Sequence, residues 1–192
     1  MYDLEAYNSW IASIGRTING LKSLSGQFDL PELQKFKIYY QKSLYITLVC
    51  HDLMMNIKHF DIAETDKKYF EANYFGRTLA LQASEIFGYV SNFTGGEVLQ
   101  SMEAGGYDEH LVELKKIGKE IGQLNKADGD YVREIRNKAS AHKDPDVVMQ
   151  IAIMSGVDNP RIAHLGFKLF EHIKSLAEVY QRLMNDMVDS KR

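Results

Sequence analysis

Three side chains in the stretch Arg133-Glu134-Ile135-Arg136-Asn137-Lys138-Ala139-Ser140-Ala141-His142-Lys143-Asp144-Pro145 offer chemistry: Arg136, Asn137 and His142. Arg is a permanent cation whose planar fork grips phosphate. His gives and takes a proton near neutral pH. Asn137 adds a neutral donor and acceptor beside the Arg. Together these groups suffice in principle to cleave a phosphodiester without a metal. The local charge suits a small anionic target. From Arg133 to Lys143 four basic residues (Arg133, Arg136, Lys138, Lys143) stand against one acid, Glu134, a balance of +3.

These residues must be held on a helix, and Pro145 marks its end, because proline cannot continue an α-helix. Residues six apart on an unbroken helix lie roughly 240° apart around the axis and about 9 Å along it. One straight helix therefore does not aim Arg136 and His142 at the same atom. Either the helix is distorted near Ser140 or a second copy of the chain completes the site.

The rest of the chain supplies helices. The first, about Tyr2 to Leu24, carries Leu4, Tyr7, Ile11, Ile14, Ile18 and Leu21 at alternating three- and four-residue spacing, and Ser25-Gly26 ends it. Asp29-Leu30-Pro31 opens a second, running to about Phe60, with Leu33, Phe36, Tyr40, Leu44 and Leu48 along one side. Thr65-Asp66 is expected to cap a third, reaching about Phe93, with Phe75, Leu79, Gln82, Ile86, Val90 and Phe93 in register. Arg77, Ser84 and Glu85 lie on another face, as a polar cluster or a surface ion pair. Glu97 to Ala104 reads as one or two turns between Gly95-Gly96 and Gly105-Gly106.

A fourth long helix spans about Asp108 to Asn125, with Leu111, Leu114, Ile117, Ile121 and Leu124 inward. Asp128-Gly129-Asp130 is expected to interrupt it, so that the helix bearing Arg136 starts afresh with Tyr131, Ile135, Ala139 and His142 on one face. Asp146 to Met154 reads as a brief apolar helix. The last helix opens at Asn159-Pro160 and runs to about Val188 on a stripe from Ile162 through Leu165, Leu169, Ile173, Leu176, Tyr180 and Leu183 to Met187. No strand-like alternation, internal repeat or low-complexity tract appears. The fold class expected is an all-α up-and-down bundle of about five long helices, with residues 1–192 forming one domain. The helix bearing Arg136 is expected to pack against the last one through matching apolar stripes.

Composition narrows the function classes. A net charge of −3 rules out a general nucleic-acid binder by bulk charge. Cys50 is the one cysteine, so no intrachain disulfide forms, and a buried thiol is the default. An acidic N-terminus without signal-peptide character, and no apolar run long enough to span a bilayer, point to a cytoplasmic protein away from membranes. No Glu-x-x-His pair or His-Glu-x-x-His is present, so neither a metal nor a cofactor is expected. His51, His59, His110, His164 and His172 are scattered. Gly15 to Ser23 looks superficially like a phosphate-binding loop. It has Leu21 between glycine and lysine and no strand before it, and is rejected.

An Arg followed by a polar residue and then a His, near the end of an all-α chain, resembles the signature of the HEPN superfamily. Here that pattern is Arg136, Asn137 and His142, and Arg136-Asn137-Lys138-Ala139-Ser140-Ala141-His142-Lys143-Asp144 is similar to the form in its abortive-infection (phage-defence) branch, of the AbiU type. The resemblance implies an HEPN-like helical domain and a metal-independent endoribonuclease in phage defence or a toxin–antitoxin setting. It also implies a homodimer with facing motifs and a possible cognate antitoxin. The ribose 2′-hydroxyl would attack the adjacent phosphorus and leave a cyclic phosphate. His142 would move the proton and Arg136 would stabilise charge on the phosphate oxygens. Asn137 would orient the phosphate or a neighbouring side chain. Arg133, Lys138 and Lys143 would attract the RNA backbone. The alternatives are a non-catalytic HEPN-like RNA- or protein-binding module, or an unrelated helical interaction protein. The chain departs from toxins of the superfamily that carry a Tyr shortly after the motif His, since Lys143-Asp144-Pro145 stands there.

Overall fold

A computed structural model describes residues 3–29, 34–140 and 156–189. Among them every regular element is helical. The helices are α1 (Leu4–Leu24), α2 (Lys37–Thr65), α3 (Tyr69–Tyr89), α4 (Ser91–Thr94), α5 (Gly96–Ala104), α6 (Asp108–Ser140) and α7 (Asn159–Asp189), with 3₁₀ turns at Ser25–Asp29 and Gln34–Phe36. They form an all-α bundle. Among the described residues no helix is long and apolar enough to cross a membrane. Leu30, Pro31, Leu33, His142, Lys143, Pro145 and the apolar segment from Asp146 to Met154 lie outside the described residues.

The periodicity of α7 explains its central position. Ile162, Leu165, Leu169, Ile173, Leu176, Tyr180, Leu183 and Met187 are all buried, as their spacing requires. This stripe packs against α2, α3 and α6. Trp10 of α1 lies against the buried Phe170 of α7, with ring centroids 5.9 Å apart. Helix α2 touches α1, α3 and α7. Its buried set (Tyr39, Ile46, Cys50, Leu53, Met54, Ile57, Phe60) is therefore wider than the stripe from Leu33 to Leu48, with Met54 and Ile57 extending the apolar surface as expected, and Leu48 is 40% exposed.

Several boundaries differ from the sequence reading, beginning with α2, which starts at Lys37 after the 3₁₀ turn Gln34–Phe36 rather than at Asp29-Leu30-Pro31. Helix α2 runs past Phe60 to Thr65, and Thr65-Asp66 does not cap α3. The two helices are instead joined by a Schellman turn. Lys68 N–H donates to Ala63 C=O (2.8 Å) and Lys67 N–H to Glu64 C=O (3.1 Å), with Lys67 at φ +56°. Helix α3 stops at Tyr89 rather than Phe93, and the separate turn α4 follows. Most consequential for the site, Asp128-Gly129-Asp130 does not interrupt anything: α6 is one helix of 33 residues. Glycine in a helix interior costs about 1 kcal/mol relative to alanine. Beyond it Val132 and Ile135 are buried. Each such side chain contributes about 1.5–3 kcal/mol on burial, which outweighs that cost.

The end of α6 is pinned to the start of α7. Arg161 Nε donates to Asp128 Oδ1 (2.7 Å), and its guanidinium lies 4.2 Å from the centre of the Tyr131 ring. Tyr131 Oη accepts the N–H of Asp158 at 2.7 Å. Burial pushes the Tyr131 phenol above its ordinary range, against the opposing effect of that bond, so it stays protonated and polar at neutral pH. The expected packing of the Arg136-bearing helix against the last helix is made through these contacts, and α6 packs against α3 as well.

Candidate anion-binding groove between α3 and α6

Because α6 is continuous, Asn125, Gly129, Arg133 and Arg136 recur at spacings of four, four and three. At about 100° per residue they fall within a stripe roughly 80° wide. Ser84, Phe87 and Gly88 of α3 face that stripe and close a groove of about 170 Å³. Gly129 has a steric task in it. A Cβ there would fall 2.1 Å from Asn125 Oδ1 and 3.1 Å from Arg133 Nη1. Its absence lets the two polar side chains meet across the helix, Arg133 Nη1 to Asn125 Oδ1 at 3.4 Å. The other Arg133 nitrogen, Nη2, donates to Asp130 Oδ1 at 2.7 Å.

Arg136 reaches both ways from the same stripe. Nη1 stands 3.5 Å from Ser84 Oγ, at the outer limit of a hydrogen bond, and Nη2 donates to Asn137 Oδ1 at 3.4 Å. The structure thus brings Arg133 and Arg136 together in the groove, while Asn137 is exposed, bonded to Arg136 and not among the residues that line it. It does not bring Lys138 with them. Lys138 lies two residues on from Arg136, roughly 200° around the helix, and makes an exposed ion pair with Glu134. His142 and Lys143 lie outside the described residues.

Of the polar residues noted on α3, Ser84 faces Arg136, while Glu85 lines a different cavity between α2, α3 and α7. Asn125 escaped the sequence reading altogether. The signal was present in the spacing Asn125–Gly129–Arg133, and the supposed helix break at Gly129 concealed it.

Groups elsewhere are engaged differently. His110 is buried, and Nε2 pairs with Asp186 Oδ2 at 2.7 Å, tying α6 to α7. Cys50 is buried, and desolvation pushes its thiol up to about 12, so almost none is thiolate at neutral pH. Among the described residues no three His, Cys, Asp or Glu side chains gather into a metal-holding group.

No family model matches this chain, and neither the curated proteins nor the solved structures hold a match to it. What the groove can do follows from its own groups. Two guanidiniums, a hydroxyl and an amide line a space of about 170 Å³, with Arg133 also paired to Asp130. Guanidinium–phosphate contacts are charge-assisted, shorter and roughly twice as strong as neutral hydrogen bonds.

Proposed function

We propose that the chain is a metal-independent endoribonuclease of the HEPN type, working as a homodimer in phage defence or a toxin–antitoxin setting. The observation that supports this reading is the pairing of Arg136 with Arg133 in one groove, with Asn137 bonded to Arg136 at 3.4 Å. In this reading the groove holds RNA phosphates, and Arg136 stabilises the charge that develops on the scissile one. Asn137 fixes the Arg136 fork. His142, a short distance along the chain, moves the proton of the attacking 2′-hydroxyl or of the leaving oxygen. Lys138 and Lys143 contribute long-range attraction to the RNA backbone. DNA lacks the attacking hydroxyl and survives.

The test is incubation of the purified chain with mixed single-stranded RNA in EDTA. Fragments ending in cyclic phosphate are expected, and loss of all cleavage on chelation would overturn the mechanism. A second reading, a non-catalytic HEPN-like binding module for RNA or protein, is favoured by the ion pairs Arg133–Asp130 and Lys138–Glu134, which already occupy two of the motif's cations. Binding of the same RNA without cleavage would select it.

A further inference from the structure

A second cavity, of about 300 Å³, opens between α2, α3 and α7, away from the Arg136 groove. Its walls are isoleucine, leucine and valine side chains together with Tyr45, Tyr89 and Phe93. The polar groups around it lean one way. Among the described residues Asp52 and Glu85 line it and no Lys, Arg or His does, and Asp52 Oδ1 stands 3.4 Å from His51 Nδ1. Gln82, one helical turn before Glu85, also lines it. Its Oε1 is buried without a hydrogen-bond partner among the described residues. Burial pushes the Tyr45 phenol above its ordinary range, and the neighbouring Glu85 pushes the same way. Tyr45 and Phe93 stack 5.5 Å apart, and aromatic faces attract cations. Lys42 Nζ lies over the Phe93 ring, 5.1 Å from its centroid, and also donates to the Asn92 carbonyl, which leaves the Tyr45 and Tyr89 rings as the aromatic faces open to a ligand cation.

We propose that this cavity binds a small amphipathic amine, whose ammonium faces Asp52 and Glu85 while its apolar body fills the aromatic pocket. The occupant is a free small molecule rather than a protein segment. The volume is at the low end of small-ligand sites, whereas a stable protein contact buries on the order of 1,000 Å² or more. The proposal stands independently of any action on RNA.

The probe set is hexylammonium, 1-hexanol and hexanoate, titrated calorimetrically into the full chain. Hexylammonium is expected to bind one per chain, at least tenfold more tightly than 1-hexanol, with hexanoate weakest. Asp52 and Glu85 are exposed, so the double variant Asp52→Asn, Glu85→Gln retains the fold, and circular dichroism checks this. In that variant hexylammonium should fall to the level of 1-hexanol while 1-hexanol is unchanged. Equal binding of all three probes, tightest binding of hexanoate, or no binding of hexylammonium at about 10 mM would each overturn the proposal.

Discussion

Arg136 Nη1 and Ser84 Oγ, 52 residues apart in sequence, stand 3.5 Å from one another across the α3–α6 groove. That contact gives Arg136 of α6 a neighbour on a second helix, and it makes Ser84 a positioning residue in the ribonuclease reading.

Replacing His142 with Ala should therefore lower RNA cleavage by about 10²–10⁴-fold, the usual contribution of a general acid or base. Arg136→Lys should also impair turnover, because a point charge cannot reproduce the planar fork. Ser84→Ala should produce a smaller loss that grows with pH-independent misplacement of Arg136, leaving the pH profile of cleavage unmoved. Rates on single-stranded RNA in EDTA check all three; equal cleavage by wild type and His142→Ala would refute the assignment.

Lys67 occupies a left-handed conformation at φ +56°, at the C′ position of the α2 Schellman turn. The same turn after α5, where Tyr107 N–H donates to Met102 C=O at 3.0 Å, uses Gly106 at φ +77°. A residue with a Cβ in that region costs roughly 1–2 kcal/mol. Lys67→Gly should accordingly raise unfolding stability by about 1 kcal/mol, read as a higher urea midpoint at constant slope.

Two glycines of α6 should respond oppositely to alanine. At Gly118 a Cβ would fall 2.6 Å from Thr94 Oγ1 and 2.8 Å from Thr94 Cβ, an atom that moves only with the α4 backbone. Gly118→Ala should cost about 1–3 kcal/mol by overpacking. At Gly122 nothing lies within 4 Å of the added Cβ. Gly122→Ala should gain up to about 1 kcal/mol from helix propensity. Thermal melts of the two variants decide the point; loss of stability at both would contradict it.

Tyr7 Oη donates to the Asp61 carboxylate between α1 and α2. Burial raises the Asp61 carboxyl above its ordinary value, and the Tyr7 bond only partly offsets it. A raised carboxyl favours the protonated form in the folded state. Its contribution to stability is thus fully present below the unfolded value, about 4, and is lost as pH rises through the folded value. Asp61→Asn keeps an acceptor for Tyr7 and carries no charge, so it should gain on wild type as pH rises from about 4 to 7. Tyr7→Phe leaves the carboxylate without its donor and should cost about 1–3 kcal/mol at neutral pH. Urea midpoints across that range test both, and a variant Asp61→Asn that loses ground with rising pH would reverse the sign.

What the sequence determined by itself was local. Spacing alone placed Leu111, Leu114, Ile117 and Ile121 of α6, and the stripe from Ile162 to Met187 of α7, on buried faces, because a helix of 3.6 residues per turn brings such residues together whatever surrounds it. The groups Arg133, Arg136 and Asn137 were legible as types suited to an anion. Tertiary structure decided the rest. Gly129 reads as a breaker, since its local cost opposes the helix, yet Val132 and Ile135 are buried beyond it and tip the balance toward continuity. Only that continuity sets Asn125 in line with Arg133. The partners Ser84 for Arg136 and Asp186 for His110 lie 52 and 76 residues away in sequence. Periodicity within one helix carries no information about which face of another helix it will meet; the packing of α3 and α7 around α6 supplied it.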